Sequence, residues 1–239
     1  MIPVSVVVPL YRSRGTVTAL HQRLCDALGE ERFEILFVDD HCPERSYDVA
    51  EQLAGTDPRV RAVRLQENVG QQRAVVFGVS AARGAHVVVM DADLQDDPAV
   101  VPTLLARARA GADVVFATRA GRYQSAPRLL TSRAFKRLLT LLTGLPDNAG
   151  MFLVMTADVA RKLAAHATAT PYVVFLAAHG AGRVDAVTVG RSARTIGSSA
   201  YTSLGRLRAA LAALRCVAAT RIGVTTANAA PAVERSVAW

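Results

Sequence analysis

Residues 87–98 of this chain of 239 residues read VVVMDADLQDDP. The opening apolar run, which ends at Met90, is typical of a short strand buried on both faces of a sheet. Asp91 and Asp93 follow at once, and residues two apart in an extended chain project to the same side, about 6–7 Å apart. Such a pair suits one Mg²⁺ or Mn²⁺ ion and leaves coordination positions open for phosphate oxygens. Taken alone, the letters D-A-D fit a solvated acidic turn more simply, because the pattern D-x-D is common.

Composition narrows the class of protein. The chain is 51% hydrophobic, yet no apolar run reaches the roughly 18 residues that a membrane-spanning helix needs. The length suits one large domain or two small ones. Three scattered cysteines indicate neither a disulfide framework nor a zinc site. We therefore expect a cytoplasmic protein, either soluble or peripheral on the inner face of the membrane.

The charge predicts the chemistry of the partner. A formal net charge of +8 favours an anionic ligand, and nearly all the basic residues are arginine, whose planar fork matches phosphate geometry. Aromatic residues make up only 5% of the chain, and no basic stripe is interleaved with them. We therefore expect an anionic partner other than nucleic acid.

Apolar strand-like runs alternate with helix-like segments on both sides of the opening stretch. Strands are expected over 4–9, 33–38, 60–65, 87–90 and 113–117, and helices over 16–28, 47–53, 71–82 and 98–110. This alternation predicts an α/β fold whose mostly parallel sheet has helices on both faces. Ligands of such sheets bind beyond the carboxyl ends of the strands. Asp39 and Asp40 end the second strand as Asp91 and Asp93 end the fourth, so we expect both pairs at one edge.

Two common nucleotide-binding fingerprints are missing. The first strand continues as PLYRSRG, without the glycine pattern of dinucleotide-binding folds, and no G-x-x-x-x-G-K-[ST] occurs. A nicotinamide-dependent oxidoreductase and a P-loop enzyme are therefore not expected.

Three segments carry a resemblance to a known family. VSVVVPLYR (4–12), FVDDHCPERSYD (37–48) and the stretch from ENVGQQRAVVFGVSAARG to DADLQDDP (67–98) resemble the inverting glycosyltransferases of family 2. Within that family the chain is most similar to the dolichyl- and polyprenyl-phosphate sugar transferases. The resemblance implies the GT-A fold, which is a Rossmann-like, mostly parallel sheet, over residues 1–202. It also implies metal-dependent transfer of a sugar from a UDP- or GDP-sugar.

The resemblance assigns roles at the donor nucleotide. Pro9 and Tyr11 would border the nucleotide, and Asp39 would face its base. Asp40 would lie beside Asp39, although a cap on the following turn explains Asp40 equally well. The segment 71–73, with Gln72 at its centre, would lie near the diphosphate.

The resemblance also assigns the metal site. Asp91 and Asp93, with Ala92 between them, correspond to the metal-binding D-x-D of the family, and Gln95 matches a position that approaches the metal and the phosphates. The cation would neutralise charge on the leaving diphosphate. Arg194, in the segment RTIGSSAY, would reach the diphosphate from a mobile loop and shield the site from water.

The second half of the chain bears on the acceptor. By resemblance, Arg119 and Arg128 lie on the segment that faces the acceptor in the lipid-phosphate enzymes and would contact an anion. Met151 stands where many bacterial relatives have an aspartate that is a candidate base. A lipid phosphate needs no base, whereas a hydroxyl or amine acceptor needs a proton acceptor, and Asp147 is then the nearest candidate. A turn or N-cap role explains Asp147 equally well.

The C-terminal part, 203–239, is expected to form an amphipathic helix and a flexible tail. Residues 204–222 carry arginines among leucines and alanines. This helix fits an anionic membrane surface, and it fits equally a helix that packs on the domain or on a second subunit of a homodimer. Many relatives continue into two membrane-spanning helices, which this sequence lacks.

Three functional hypotheses remain open at this level. The first is transfer to a polyprenyl phosphate, favoured by the likeness of DADLQDDP to the lipid-phosphate enzymes. The second is transfer to a soluble small molecule or carrier-bound acceptor in natural-product biosynthesis. It is favoured by Met151, by the absence of membrane helices, and by Ala200, which replaces a lysine usual in the family. The third is a sugar-nucleotide-binding protein without catalysis.

Overall fold

The structure is a computed structural model that describes residues 2–119, 145–146, 148–166, 170–190, 203–221 and 230–238. Its strands are β1 (Ile2–Leu10), β2 (Phe33–Asp39), β3 (Val60–Leu65), β4 (Gly84–Val89), β5 (Val114–Arg119), β6 (Leu153–Thr156), β7 (Val184–Val189) and β8 (Val233–Val237). Its helices are α1 (Val17–Leu28), α2 (Ser46–Thr56), α3 (Gln71–Ala81), α4 (Val101–Arg109), α5 (Ala157–Ala165), α6 (Val173–Gly180) and α7 (Ser203–Arg221), with a 3-10 turn at Pro98–Val100.

The described strands form one sheet in the order β7-β5-β6-β4-β1-β2-β3-β8. Strands β4, β1, β2 and β3 run parallel, whereas β6 is antiparallel to β4 and β5, and β8 is antiparallel to β3. The predicted mostly parallel α/β fold is therefore confirmed. The runs of valine and isoleucine explain the result, because β-branched side chains pack well on a sheet that is covered on both faces.

Helices cover the two faces with separate hydrophobic clusters. One cluster joins β1 and β2 to α1, α2 and α4 through side chains such as Val8, Leu20 and Leu104. The other joins the opposite face to α3, α5, α6 and α7. Helix α3 approaches the sheet most closely at Gly78, where a Cβ would lie only 2.5 Å from Cγ1 of Val7. This glycine therefore sets the height of α3 above the sheet.

The fourth strand begins earlier than the sequence predicts. It starts at Gly84 and pairs with β1 from Ile2 onward, rather than starting at Val87. A Cβ at Gly84 would lie 2.5 Å from the backbone nitrogen of Ser5. The periodicity of the sequence did not predict that the strand starts at Gly84. Glycine is needed there because the neighbouring strand β1 leaves no room for a side chain.

The expected flexible tail is wrong for part of its length. Residues Val233–Val237 form β8, which pairs along the free edge of β3. The backbone N–H of Gln66 donates to the oxygen of Ala232 at 2.9 Å, and Nε of Arg61 donates to the oxygen of Ala238 at 3.1 Å. The small and polar residues of the tail suggested disorder. The edge of β3, however, offers backbone hydrogen-bonding groups, and the sequence of the tail alone does not reveal this pairing partner.

Helix α7 packs on the domain by one face. Ala213, Cys216 and Val217 are buried, and the last two belong to the cluster with α5 and α6. Leu211 and Arg215 are exposed one helical turn apart. One face of α7 thus packs on the domain, which was one of the two expectations for this helix. Another face of α7 is exposed. None of the helices in the described ranges has the length and hydrophobicity needed to cross a membrane.

Candidate functional site

The candidate site lies where β1, β2 and β4 end. These neighbouring strands are parallel, so their carboxyl ends share one edge, with Leu10 opposite Asp39. The three loops that follow each hold a non-glycine residue at positive φ: Arg12 at 53°, His41 at 49° and Leu94 at 58°. Such conformations cost about 1–3 kcal/mol each and cluster at functional sites. The edge predicted from the sequence is therefore also where backbone strain is concentrated.

Asp91 is held by the start of helix α3. Nε2 of Gln71 donates to Oδ1 of Asp91 at 2.6 Å. Gln71 is the first residue of α3, and a helix N-terminus carries a partial positive charge that favours phosphate groups. The amide thus fixes the orientation of the carboxylate. Asp91 and the α3 N-terminus therefore lie together at this edge.

Asp93 and Gln95 form a tight turn beside Asp91. The backbone N–H of Gln95 donates to Oδ1 of Asp93 at 3.1 Å, and Leu94 between them adopts the left-handed conformation. The Gln95 side chain is 8% exposed, and its buried Oε1 has no hydrogen-bond partner in the part of the chain that the structure describes. An orphaned buried oxygen is costly unless a ligand satisfies it. Two carboxylates and this oxygen form a donor set that fits Mg²⁺ or Mn²⁺.

Asp39 is fully buried at the end of β2. Its Oδ2 accepts from the backbone N–H of Cys42 at 3.0 Å and lies 3.8 Å from Nε of Arg64. Its Oδ1 is buried without a hydrogen-bond partner among the described residues. Burial raises the pKa of Asp39 to about 6, against the opposing effect of the Cys42 hydrogen bond and of Arg64. An acceptor oxygen is therefore held ready for an N–H group of a ligand.

The raised pKa of Asp39 predicts a pH-dependent stability. An ordinary aspartate in the unfolded chain has a pKa of about 3.9, so between that value and about 6 the folded protein keeps a proton that the unfolded chain has released. Stability must then fall as the pH rises through this window. We expect Asp39→Asn to raise the free energy of unfolding at pH 8 by up to about 3 kcal/mol. The gain should vanish near pH 4.

Urea unfolding of wild type and Asp39→Asn at pH 4, 6 and 8 measures this difference. A gain that is the same at all three values would show that Asp39 is not the group responsible. Asp26→Asn is a matched control, because Asp26 lies on α1, away from this edge, where Gln22 donates to it in an exposed position.

Asp40 holds the loop before α3. Its Oδ1 accepts from the backbone N–H of Val69 at 2.7 Å, and its Oδ2 accepts from that of Gly70 at 2.9 Å. Gly70 has φ of 87°, which glycine adopts readily. Burial raises the pKa of Asp40, and these two N–H groups oppose the rise. Both carboxylate oxygens are thus engaged by the loop before α3, and not by the turn that directly follows Asp40, where the Cys42 N–H donates to Asp39 instead.

The side chain of Gln72 is held by α6 and by Met151. Its Oε1 accepts from the backbone N–H of Val173 at 2.8 Å, and its Nε2 lies 3.7 Å from Sδ of Met151. Successive helical residues are turned by about 100°, so only one of two adjacent glutamines can face the edge. Gln71 is that residue, and the side chain of Gln72 joins α3 to α6. The sequence alone did not assign the rotation of this helix, and the position of segment 71–73 near a diphosphate stays a prediction.

Met151 lies near Asp91 through strand pairing. Strands β4 and β6 are antiparallel, with Val89 opposite Leu153. Asp91 follows Val89 by two residues and Met151 precedes Leu153 by two, so both lie at the same edge. The position that resemblance assigns to a base is therefore at the site, and it holds a thioether.

Other expected site residues are placed only in part. Pro9 is buried in β1 opposite Val38, and Tyr11 is 40% exposed with Arg12 stacked on its ring at 5.6 Å. The backbone of Arg119 ends β5 opposite Val189, but its side chain is outside what the structure describes. The remaining candidates, Arg128, Asp147 and Arg194, lie outside the described residues.

A second group of potential metal ligands lies away from this edge. His21, Cys25 and Asp57 have ligand atoms within 4.8 Å of one another. Nη2 of Arg59 donates to Asp57 at 2.8 Å and to Sγ of Cys25 at 3.3 Å. This guanidinium holds the pKa of Asp57 well below its usual range. A cation is already supplied by the protein itself, so the group is a structural network rather than a metal site.

Curated proteins similar to this chain include enzymes of lipid-phosphate glycosylation. Undecaprenyl-phosphate 4-deoxy-4-formamido-L-arabinose transferase of Pseudomonas aeruginosa is 32% identical over 223 residues, which cover 91% of this chain and 66% of that protein. Dolichol-phosphate mannosyltransferase of Pyrococcus furiosus is 37% identical over 116 residues, 48% of this chain and 33% of that protein. The chain therefore spans less than two thirds of the length of these relatives.

A solved structure shares the fold. Glucosyl-3-phosphoglycerate synthase of Mycobacterium tuberculosis, in complex with Mn²⁺, UDP and glucosyl-3-phosphoglycerate, matches with a TM-score of 0.66 at 16% identity, covering 98% of this chain and 89% of that one. The likeness confirms the GT-A fold expected from the sequence. A family model described as Glycosyl transferase family 2 matches residues 5–164. Because that match covers well over half of the chain, the chain belongs to glycosyl transferase family 2.

Proposed function

We propose that this protein transfers a sugar from a nucleoside diphosphate to a polyprenyl phosphate, with inversion at the anomeric carbon. The observation that carries the proposal is the turn of Asp91, Asp93 and Gln95, where a buried oxygen without a partner lies beside two carboxylates at the carboxyl edge. The GT-A neighbour bound to Mn²⁺ and UDP supports a metal and a nucleotide donor.

Different residues of the carboxyl edge would bind different parts of the donor. Asp91, Asp93 and Gln95 would hold a divalent cation, which supplies positive charge to the leaving diphosphate when bound. Gln71 keeps the Asp91 carboxylate in place, and the N-terminus of α3 adds partial positive charge. Asp39 would accept a hydrogen bond from the base through its free Oδ1. These contacts fix the donor so that the sugar projects from the edge toward the acceptor.

The acceptor proposal rests on Met151 and on the relatives. A thioether cannot accept a proton, and a phosphate monoester needs no base because its oxygen is already anionic. Met151 occupies the edge beside Asp91 and contacts Gln72. Two similar proteins are an undecaprenyl-phosphate and a dolichol-phosphate transferase, which supports a lipid phosphate as the acceptor. Arg119 and Arg128 are proposed to contact the acceptor phosphate.

Contact with a membrane surface follows from the same proposal. A polyprenyl phosphate resides in a bilayer, so the protein must reach that surface. The outward face of α7 presents Leu211 and Arg215, an apolar and a basic residue one turn apart. Such a face suits the interface of an anionic membrane.

Donor binding is the first test. Wild-type protein is screened against UDP- and GDP-sugars with Mn²⁺, and thermal stabilisation and slow donor hydrolysis are measured. We expect one nucleotide class to stabilise the protein in a metal-dependent way and to be hydrolysed slowly. Binding without any hydrolysis or transfer would instead identify a sugar-nucleotide-binding protein without catalysis.

The acceptor is tested by comparing undecaprenyl phosphate with undecaprenol. We expect transfer to the phosphate and at least about 10²-fold less to the alcohol, because the alcohol must lose a proton during attack. Transfer is measured by radiolabelled sugar entering the lipid phase. Asp147→Asn should leave the rate with the phosphate unchanged. Transfer to soluble hydroxyl acceptors that depends on Asp147 would contradict the lipid-phosphate proposal and favour the soluble acceptor.

A further inference from the structure

Strand β8 is the edge strand of the sheet next to β3, and it lies beside the proposed base site. It pairs with β3 from Ala62 to Leu65, and β3 is next to β2, which ends in Asp39. Arg235 on β8 also binds both carboxylate oxygens of Glu51 on α2, at 2.9 and 3.0 Å. The strand is therefore fixed by the backbone of β3 and by α2, close to the loop after β2.

Glu234 reaches from β8 toward that loop. Its Oε2 lies 3.1 Å from Nε of Arg64 and 3.4 Å from Nδ1 of His41. Nε of Arg64 lies in turn 3.8 Å from Oδ2 of Asp39. The Arg64 side chain is thus held between a carboxylate of the C-terminal strand and the carboxylate expected at the nucleotide base.

Two buried polar atoms at this place lack hydrogen-bond partners. Among the described residues, neither Oδ1 of Asp39 nor Nε of Arg64 has one, although Arg64 makes ion pairs. One atom is an acceptor and the other belongs to a guanidinium that only donates. Unsatisfied buried groups in a native protein require an explanation, and a ligand with a matching donor and acceptor supplies one.

We propose that Arg64 completes the base-recognition site and that Glu234, on β8, is the residue that positions it. This inference rests on the proposed function and goes beyond it by naming the recognised edge of the base. Asp39 accepts from a ring N–H, and Arg64 donates to the carbonyl oxygen next to it. Nδ1 of His41 lies 3.4 Å from the same carboxylate and borders it on a second side.

The chemical class of base follows from this pattern. Uracil and guanine each present a ring N–H beside a carbonyl oxygen. Cytosine and adenine present a ring nitrogen acceptor beside an amino group, so their donor and acceptor are reversed. A reversed base would place a lone pair against Asp39 and an N–H group against Arg64, leaving buried groups unpaired. The site therefore selects uridine or guanosine diphosphates over cytidine and adenosine diphosphates.

The test compares Glu234→Gln with Arg235→Gln in the full chain. Glu234→Gln removes the ion pairs of β8 with Arg64 and His41, whereas Arg235→Gln removes only the ion pair with Glu51. Affinities for UDP, GDP, CDP and ADP are measured by calorimetry with Mn²⁺, and donor KM and kcat are measured with the sugar nucleotide that wild type prefers. Thermal unfolding of both variants shows how much each loosens the strand.

We expect Glu234→Gln to weaken the preferred nucleotide about 5- to 20-fold, because a misplaced Arg64 loses its contact with the base. Its affinity for CDP and ADP and its kcat at saturating donor should stay within about twofold of wild type. Arg235→Gln should change none of these affinities more than about twofold. In the double variant with Arg64→Gln, Glu234→Gln should add no further loss, since its effect passes through Arg64.

Two results would overturn the inference while leaving the proposed function intact. One is an unchanged affinity and base preference in Glu234→Gln. The other is an equal loss in Glu234→Gln and Arg235→Gln, which would mean that β8 acts only through its docking. A wild-type protein that binds none of the four nucleotides would instead overturn the proposed function, and this inference with it.

Discussion

Replacing Asp93 with alanine is expected to lower sugar transfer at least about 10³-fold and to abolish metal-dependent donor binding. The substitution removes a proposed metal ligand and also the oxygen that accepts from the Gln95 N–H at 3.1 Å. Without that bond the turn can open, and Oε1 of Gln95 loses its place in the donor set. Donor binding is measured by calorimetry with and without Mn²⁺, and turnover by the transfer assay.

A second variant separates charge from turn geometry. Asp93→Asn keeps an oxygen for the Gln95 N–H but removes the negative charge, so turnover should fall almost as far while the fold stays unchanged. Asp97→Asn is the matched control. Asp97 caps the 3-10 turn by accepting from the Ala99 N–H, a role that asparagine also fills. Full metal-dependent turnover in Asp93→Ala would refute the assignment of this turn as the metal site.

Asp40→Asn is expected to destabilise the protein by about 2–3 kcal/mol and to lower turnover about tenfold. The Asp40 carboxylate accepts from two backbone N–H groups, those of Val69 and Gly70. An amide offers one oxygen, so its NH₂ group must face an N–H donor. The start of α3 should then shift, and Gln71 with it, which frees Asp91.

Urea unfolding and transfer kinetics measure the two effects of Asp40→Asn. Asp48→Asn is a suitable control, because Asp48 forms an ion pair with Arg45, which is largely exposed, and such pairs contribute less than about 1 kcal/mol. If Asp40 contacts the donor directly, as the resemblance allows, the result differs. Donor KM would rise, and the free energy of unfolding would hardly change.

Much of the fold was predictable because it is encoded locally. Every strand and helix expected over the first 119 residues is present, with shifts of a few residues at the ends. Apolar runs and helical periodicity in the sequence indicate which residues are buried on a sheet face or a helix face. Folding must bury these apolar residues, so the pattern predicts the elements. The strand ends near Asp39 and Asp91 were predictable for the same reason, because carboxylates interrupt the buried apolar runs.

Contacts between distant segments were not predictable in this way. The rotation of α3, which turns Gln71 toward Asp91 and Gln72 toward Val173, depends on how Gly78 seats the helix on Val7. Strand β8 was missed because its five residues, VERSV, are too few and too polar at the centre to stand out, and their partners lie about 170 positions earlier in the chain. Nothing in its own composition shows the free edge of β3.

The sequence by itself determined the layered α/β architecture, the acidic carboxyl edge and the family. These depend on residue type and spacing along the chain, which the sequence states directly. Only the tertiary structure decided that Asp40 caps a loop, that Gln71 orients Asp91, and that Glu234 lies beside Arg64. The physical reason is that hydrogen bonds and ion pairs require atoms within about 3–4 Å, and that proximity is set by packing rather than by order in the chain.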